Sequence, residues 1–198
     1  MLRLASYDIV FQEVPGEITL ALNLAGCPHR CRGCHSPHLR EDRGEVLDEE
    51  ALRLLLATYR EGITCVCFMG GDASPKEVER LAGYLSTNHN IKTAWYSGRN
   101  HLPDNLSLTH FNFIKLGPYI EHLGGLDSPT TNQQFYRIDK NMMIDITFVF
   151  QQKNITSPKE SLIVPKSPEG DFRLYGLAPF RGLGAEERIG KGVGGGVL

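Results

Sequence analysis

The sequence predicts an α/β chain whose parallel strands curve into an open, partial (β/α) barrel. From residue 18 onward, short apolar runs alternate with amphipathic stretches at helical spacing. Strand, helix, strand in that order implies parallel strands joined by crossover helices. Residues 18–150 have room for four or five such units at the ~30 residues each takes. At 198 residues the chain is too short for a complete eight-unit barrel, which takes about 250.

The elements follow in order. Residues 18–25 form the first buried strand, and a cysteine cluster begins directly after its end. Asp48 reads as a helix N-cap with Glu49 and Glu50 in the first turn, and Leu52, Leu55, Leu56 and Tyr59 recur at helical spacing until Gly62. Residues 63–68 make a second strand, closed by the tight turn Gly70-Gly71-Asp72. Ser74-Pro75-Lys76-Glu77 reads as a capping box with proline at the first helical position, and Val78, Leu81, Ala82 and Leu85 form one stripe behind it. Residues 91–96 and 111–116 are the third and fourth strands, and 144–150 a later one. Residues 1–150 thus form the domain. Residues 151–198 break the pattern: the last 17 carry seven glycines and no periodic apolar face, the composition of an appendage with little capacity for a core.

Hydrophobic residues at 41% and charged residues at 22% support a real core. A net charge of -2 argues against a protein built to hold long nucleic acid. No apolar run reaches the roughly 18 residues of a membrane span, and Asp8 interrupts any signal-like block, so a cytoplasmic protein is expected.

Three of the five cysteines, Cys27, Cys31 and Cys34, fall within eight residues. An odd count this tightly spaced points to ligand or redox chemistry in a reducing compartment rather than a disulfide framework. Soft thiolates at this density bind iron–sulfur clusters or zinc. A four-iron cluster ordinarily takes four cysteines, so three leave one iron open to a substrate or cofactor. Two other readings belong to the same residues: a zinc site completed by His29, His35 or His38, giving a non-catalytic interaction module, and a redox pair at Cys31-x-x-Cys34. Cys65 and Cys67 alternate on a strand and read as small core hydrophobes. Ser97 and Lys115 stand near C-terminal strand ends, where barrel enzymes place their ligands.

Cys-x3-Cys-x2-Cys in the loop after the first strand resembles the radical S-adenosylmethionine (SAM) enzymes, and the resemblance implies a partial barrel of the radical SAM type. It implies that Cys27, Cys31 and Cys34 hold a 4Fe-4S cluster whose open iron binds SAM and whose electron cleaves it to a 5′-deoxyadenosyl radical. Gly70-Gly71-Asp72 looks like that family's turn toward the SAM amino group; two glycines permit close backbone approach and an acid suits a cationic amine. The stretches Val10-Phe11-Gln12-Glu13-Val14-Pro15-Gly16-Glu17, Cys27-Pro28-His29-Arg30-Cys31-Arg32-Gly33-Cys34-His35-Ser36-Pro37-His38-Leu39, Lys115-Leu116-Gly117-Pro118-Tyr119 and Gly124-Gly125-Leu126-Asp127-Ser128-Pro129-Thr130-Thr131-Asn132-Gln133 resemble the activating proteins of anaerobic ribonucleoside-triphosphate reductase. That likeness implies hydrogen abstraction from a glycine Cα of the partner reductase, a small reducing protein as electron donor, and adenine contacts at the Gly33 backbone. Activation of another glycyl-radical enzyme, such as pyruvate formate-lyase, is the neighbouring expectation. In the tail, Arg173-Leu174-Tyr175-Gly176-Leu177 loosely resembles the loop that glycyl-radical enzymes offer their activases.

Overall fold

A computed structural model describes residues 1–152 of the chain. The expected appendage, from residue 153 on and including the Arg173-to-Leu177 stretch, lies outside the described residues. The chain opens with β1 (Leu2–Val10) and β2 (Thr19–Leu24), followed by the cysteine loop and a 3-10 turn at Pro37–Arg40. Then come β3 (Glu45–Leu47), α1 (Glu49–Tyr59), β4 (Cys65–Met69), α2 (Pro75–His89), β5 (Lys92–Tyr96), β6 (Phe113–Leu116), β7 (Gln134–Asp139), β8 (Met142–Asp145) and α3 (Phe148–Gln151).

The strands make one eight-stranded sheet in the order β3-β1-β2-β4-β5-β6-β7-β8. Its centre, β2-β4-β5-β6, is parallel, and both flanks are antiparallel. The expected partial (β/α) barrel is therefore corrected to an open mixed sheet. A barrel needs a helix-bearing crossover after each strand, and among the described residues there are two, through α1 and through α2. The link from β5 to β6 carries only a three-residue 3-10 turn at Leu108–His110. After β6, the Gly-, Pro- and Thr-rich residues 117–133 form no helix, so the chain returns as β7 antiparallel to β6 and the sheet ends in a hairpin.

The two long helices form where their stop and start signals stand. Asp48 caps α1, its side chain accepting from Ala51 N at 2.9 Å. Ser74 precedes α2 but makes no side-chain cap; Pro75 alone sets the first turn. Asn90, in the left-handed region at φ 45°, ends α2. Leu52 and Leu56 of α1 and Val78, Leu81, Ala82 and Leu85 of α2 bury against Leu20, Leu22, Leu24, Val66, Phe68 and Ile114 of the sheet. Because side chains alternate along a strand, Cys65 and Cys67 face the other way, where they pack with Val14, Ala94, Phe113 and Phe135. Both are buried free thiols, and burial lifts Cys65 to about 12 and Cys67 well above its ordinary value.

The strand predicted at 144–150 is split. Asp145 accepts from both the amide and the hydroxyl of Thr147, at 2.8 and 2.6 Å, and this local turn ends β8 before α3 begins.

Candidate functional site

Parallel sheets bind ligands outside the carboxyl ends of their strands. Here those ends deliver the cysteine loop from β2, Gly70-Gly71-Asp72 from β4, Ser97-Gly98 from β5 and Lys115-Leu116-Gly117 from β6. The cysteine loop is closed at its base by backbone hydrogen bonds from Gly26 N to Glu41 O and from Cys27 N to Leu39 O, at 3.2 and 2.9 Å. Leu39 is buried beneath it, and Arg40 Nη2 donates to Cys31 O at 2.7 Å. Arg32 pairs with Glu121 at 3.3 Å, and the rings of His35 and Tyr119 lie 5.0 Å apart.

Cys27, Cys31 and Cys34 are free, half-buried thiols that line one cavity of about 200 Å³ together with Gly70, Asp72, Ser97 and Lys115. Two expected site residues stand elsewhere. Gly33 lies at the exposed tip of the loop, where a Cβ would meet the Glu121 side chain at 3.1 Å. Gly71 faces the core: a Cβ there would sit 2.6 Å from Val78 Cγ2 and 2.9 Å from Leu24 Cδ1, so its glycine serves packing as well as its φ of +83°. Of this pair it is Gly70, at φ +104°, that stands on the cavity wall, and the fully buried Trp95 donates Nε1 to its carbonyl at 2.7 Å. An indole held by its own hydrogen bond fixes the turn with several kcal/mol of buried area, roughly 4.

Met69, Tyr96, Gly98 and Gln133 also line the cavity; sequence reasoning assigned none of them to the site, and Gln133 entered it only as the end of the stretch 124–133 that carries the resemblance. Met69 and Tyr96 close β4 and β5, so strand phase alone places them beside Gly70 and Ser97. Gln133, 8% exposed, enters from the long loop after β6, where no periodicity announces it.

The electrostatics are set by two buried charges. Lys115, 8% exposed, donates Nζ to Gly117 O at 2.5 Å, and burial draws it down to about 8, with Asp72 and Cys31 pulling the other way. Asp72, 2% exposed, accepts from Ser97 Oγ at 2.6 Å and from Gly98 N at 2.9 Å. Burial also pushes the Cys27 thiol up, opposed by a hydrogen bond with the His29 backbone, so binding a metal there must displace a proton. Among the described residues, no three His, Cys, Asp or Glu side chains converge as a ready single-ion site. In a four-iron cluster each cysteine binds its own iron, so the thiolates must ring a cavity rather than meet at a point. The three thiols here line one such cavity, and a set of three soft donors fits that group.

A second depression, of about 600 Å³, lies against α1 and the end of α2 and contains none of these residues. No helix among the described residues is long and apolar enough to cross a membrane. No curated protein and no solved structure matches the chain. The model of one protein family, described as a 4Fe-4S single cluster domain, matches residues 15–101, a span that holds all three loop cysteines, the Gly70-Gly71-Asp72 turn and Ser97 but stops short of Lys115. By that match, the segment that builds most of the cavity is similar to iron–sulfur cluster domains.

Proposed function

We propose that Cys27, Cys31 and Cys34 hold a 4Fe-4S cluster with one open iron, that SAM binds there, and that the protein activates a glycyl-radical enzyme, the anaerobic ribonucleoside-triphosphate reductase. The observation that carries this reading is the gathering of three free thiols, a glycine backbone and one buried lysine around a single cavity at the ends of four parallel strands. When bound, the cluster supplies one electron, delivered to it by a small reducing protein, that splits the SAM sulfonium into methionine and a 5′-deoxyadenosyl radical; the radical then takes a hydrogen atom from a glycine Cα of the partner.

The chain's own residues bind and orient. The three thiols give up their protons and ligate iron. Lys115, charged at neutral pH and poorly solvated, supplies the cation for a ligand carboxylate. Gly70 brings backbone without a side chain to the cavity wall, its carbonyl held by Trp95 and its amide by Tyr96 O. Met69 and Tyr96 give the wall apolar surface that keeps water from a reactive radical.

The test is anaerobic reconstitution with iron and sulfide, reduction, and addition of SAM. Methionine and 5′-deoxyadenosine should form in equal amounts, and a glycyl-radical doublet should appear when the reductase is added. Full iron content with no 5′-deoxyadenosine would refute the reading; deoxyadenosine with a doublet only on pyruvate formate-lyase would reassign the partner.

A further inference from the structure

Asp72 was expected to meet a ligand amine, but its carboxylate is already engaged inside the protein. Oδ1 accepts from Ser97 Oγ at 2.6 Å, with Arg99 Nε 3.7 Å away. Oδ2 accepts from Gly98 N at 2.9 Å and lies 3.2 Å from His29 Nε2. The Asp72 carbonyl accepts from Arg99 Nη2 at 2.7 Å. His29 belongs to the cysteine loop, between Cys27 and Cys31. Its Nε2 is sealed from solvent without a hydrogen-bond partner among the described residues, so the nearby Asp72 carboxylate is what offsets its burial.

The imidazole also has a shaped seat. A Cβ on Gly98 would stand 2.6 Å from His29 Cδ2 and 3.0 Å from Nε2. The φ of Gly98 lies outside the left-handed region, so the backbone does not demand glycine there; the ring does.

We propose that His29, Asp72 and Gly98 form a latch that docks the cysteine loop onto the ends of β4 and β5, and that His29 and Asp72 are positioning residues for the three thiols rather than ligand contacts. The latch rests on the proposed reading only for what the thiols hold. Its mechanical content is independent: the loop is tied at its base by backbone bonds to residues 39 and 41, and the histidine is its tie to the sheet on the other side. With the latch intact, Cys27 and Cys31 are held on either side of a fixed point. Without it, the segment between them is released from β4 and β5 and the thiols open to solvent.

The test uses the full chain with His29→Ala, Gly98→Ala and the double variant. Before any iron is added, the alkylation rates of Cys27 and Cys31 should rise about tenfold in each single variant, while Cys65 and Cys67 stay protected, showing the sheet intact. Because both changes break one contact, the double variant should also show about tenfold rather than the ~100-fold product of independent effects. His29→Gln, which keeps a donor within reach of Asp72, should restore most of the protection. After reconstitution, the same variants should broaden the electron paramagnetic resonance (EPR) signal of the reduced cluster. Wild-type alkylation rates in His29→Ala, or a multiplicative double variant, would overturn the latch. A wild-type chain that takes up no iron would overturn the proposed function and leave the alkylation result to judge the latch.

Discussion

Replacing Lys115 with methionine separates what this lysine does to the fold from what it does for a ligand. Methionine has nearly the same length and no charge. Burial draws Lys115 from 10.5 to about 8, which corresponds to roughly 3 kcal/mol against the charged form in the folded chain. Losing the hydrogen bond to Gly117 O gives back ~1 kcal/mol. Lys115→Met should therefore be more stable than wild type at pH 7 by about 2 kcal/mol. The sign with pH follows from proton counting. The unfolded chain keeps the Lys115 proton up to 10.5 and the folded chain only to about 8, so between those values the unfolded state binds more protons and wild-type stability rises with pH. The variant lacks that rise. Its advantage should be flat below pH 8, shrink from there to 10.5, and end as a wild-type advantage of ~1 kcal/mol. Urea unfolding of both full-length proteins in reductant, at pH 7 and pH 10, reads the difference, with every titration not coupled to Lys115 cancelled. On the proposed function, the same change weakens a carboxylate-bearing ligand by about 10- to 100-fold. A variant no more stable than wild type at pH 7, or a gap unchanged between the two pH values, would refute the reasoning.

Iodoacetamide at pH 8 should alkylate Cys27, Cys31 and Cys34 in the native protein and spare Cys65 and Cys67 until urea unfolds it, since both buried thiols stay protonated; peptide mass mapping reads this, and early modification of Cys67 would contradict the packing. Gly71→Ala should lower stability by ~2–4 kcal/mol, because a Cβ collides with Val78 and Leu24 on top of the left-handed penalty. Gly26→Ala, at φ +75° with open space around it, should cost only the conformational ~1–2 kcal/mol; equal urea midpoints would show that the core contact is absent.

The central strands and both long helices were legible because each carries its own signal: apolar runs for β2, β4, β5 and β6, and capped stripes for α1 and α2. The flanking strands were not. In β1 the pairing register shifts between Leu4 and Ser6, which breaks the alternation that would mark a strand. The β7-β8 hairpin turns on Lys140 and Asn141, at φ 48° and 62°, without the glycine that announces such turns. In β7, Phe135 packs on one face of the sheet while Tyr136 and Ile138 pack on the other, so no single apolar face appears. Missing these flanks is what turned an open mixed sheet into an expected barrel. The site fared differently, because Cys27, Cys31 and Cys34 are local in sequence and the turn after β4 is fixed by strand phase. What sequence could not give was direction: that Gly71 looks inward, and that Asp72 is engaged by Ser97, Gly98 and His29, are facts of three-dimensional packing.

The most direct measurement is metal analysis with EPR on anaerobically reconstituted protein, for wild type, each of Cys27→Ala, Cys31→Ala and Cys34→Ala, and Cys65→Ala as control. The account predicts brown wild-type protein with about four irons per chain, a reduced-cluster signal that shifts when SAM is added, loss of that signal in each loop variant, and its retention in Cys65→Ala. Colourless protein holding one zinc, or a cluster that survives Cys31→Ala and disappears in Cys65→Ala, would contradict it.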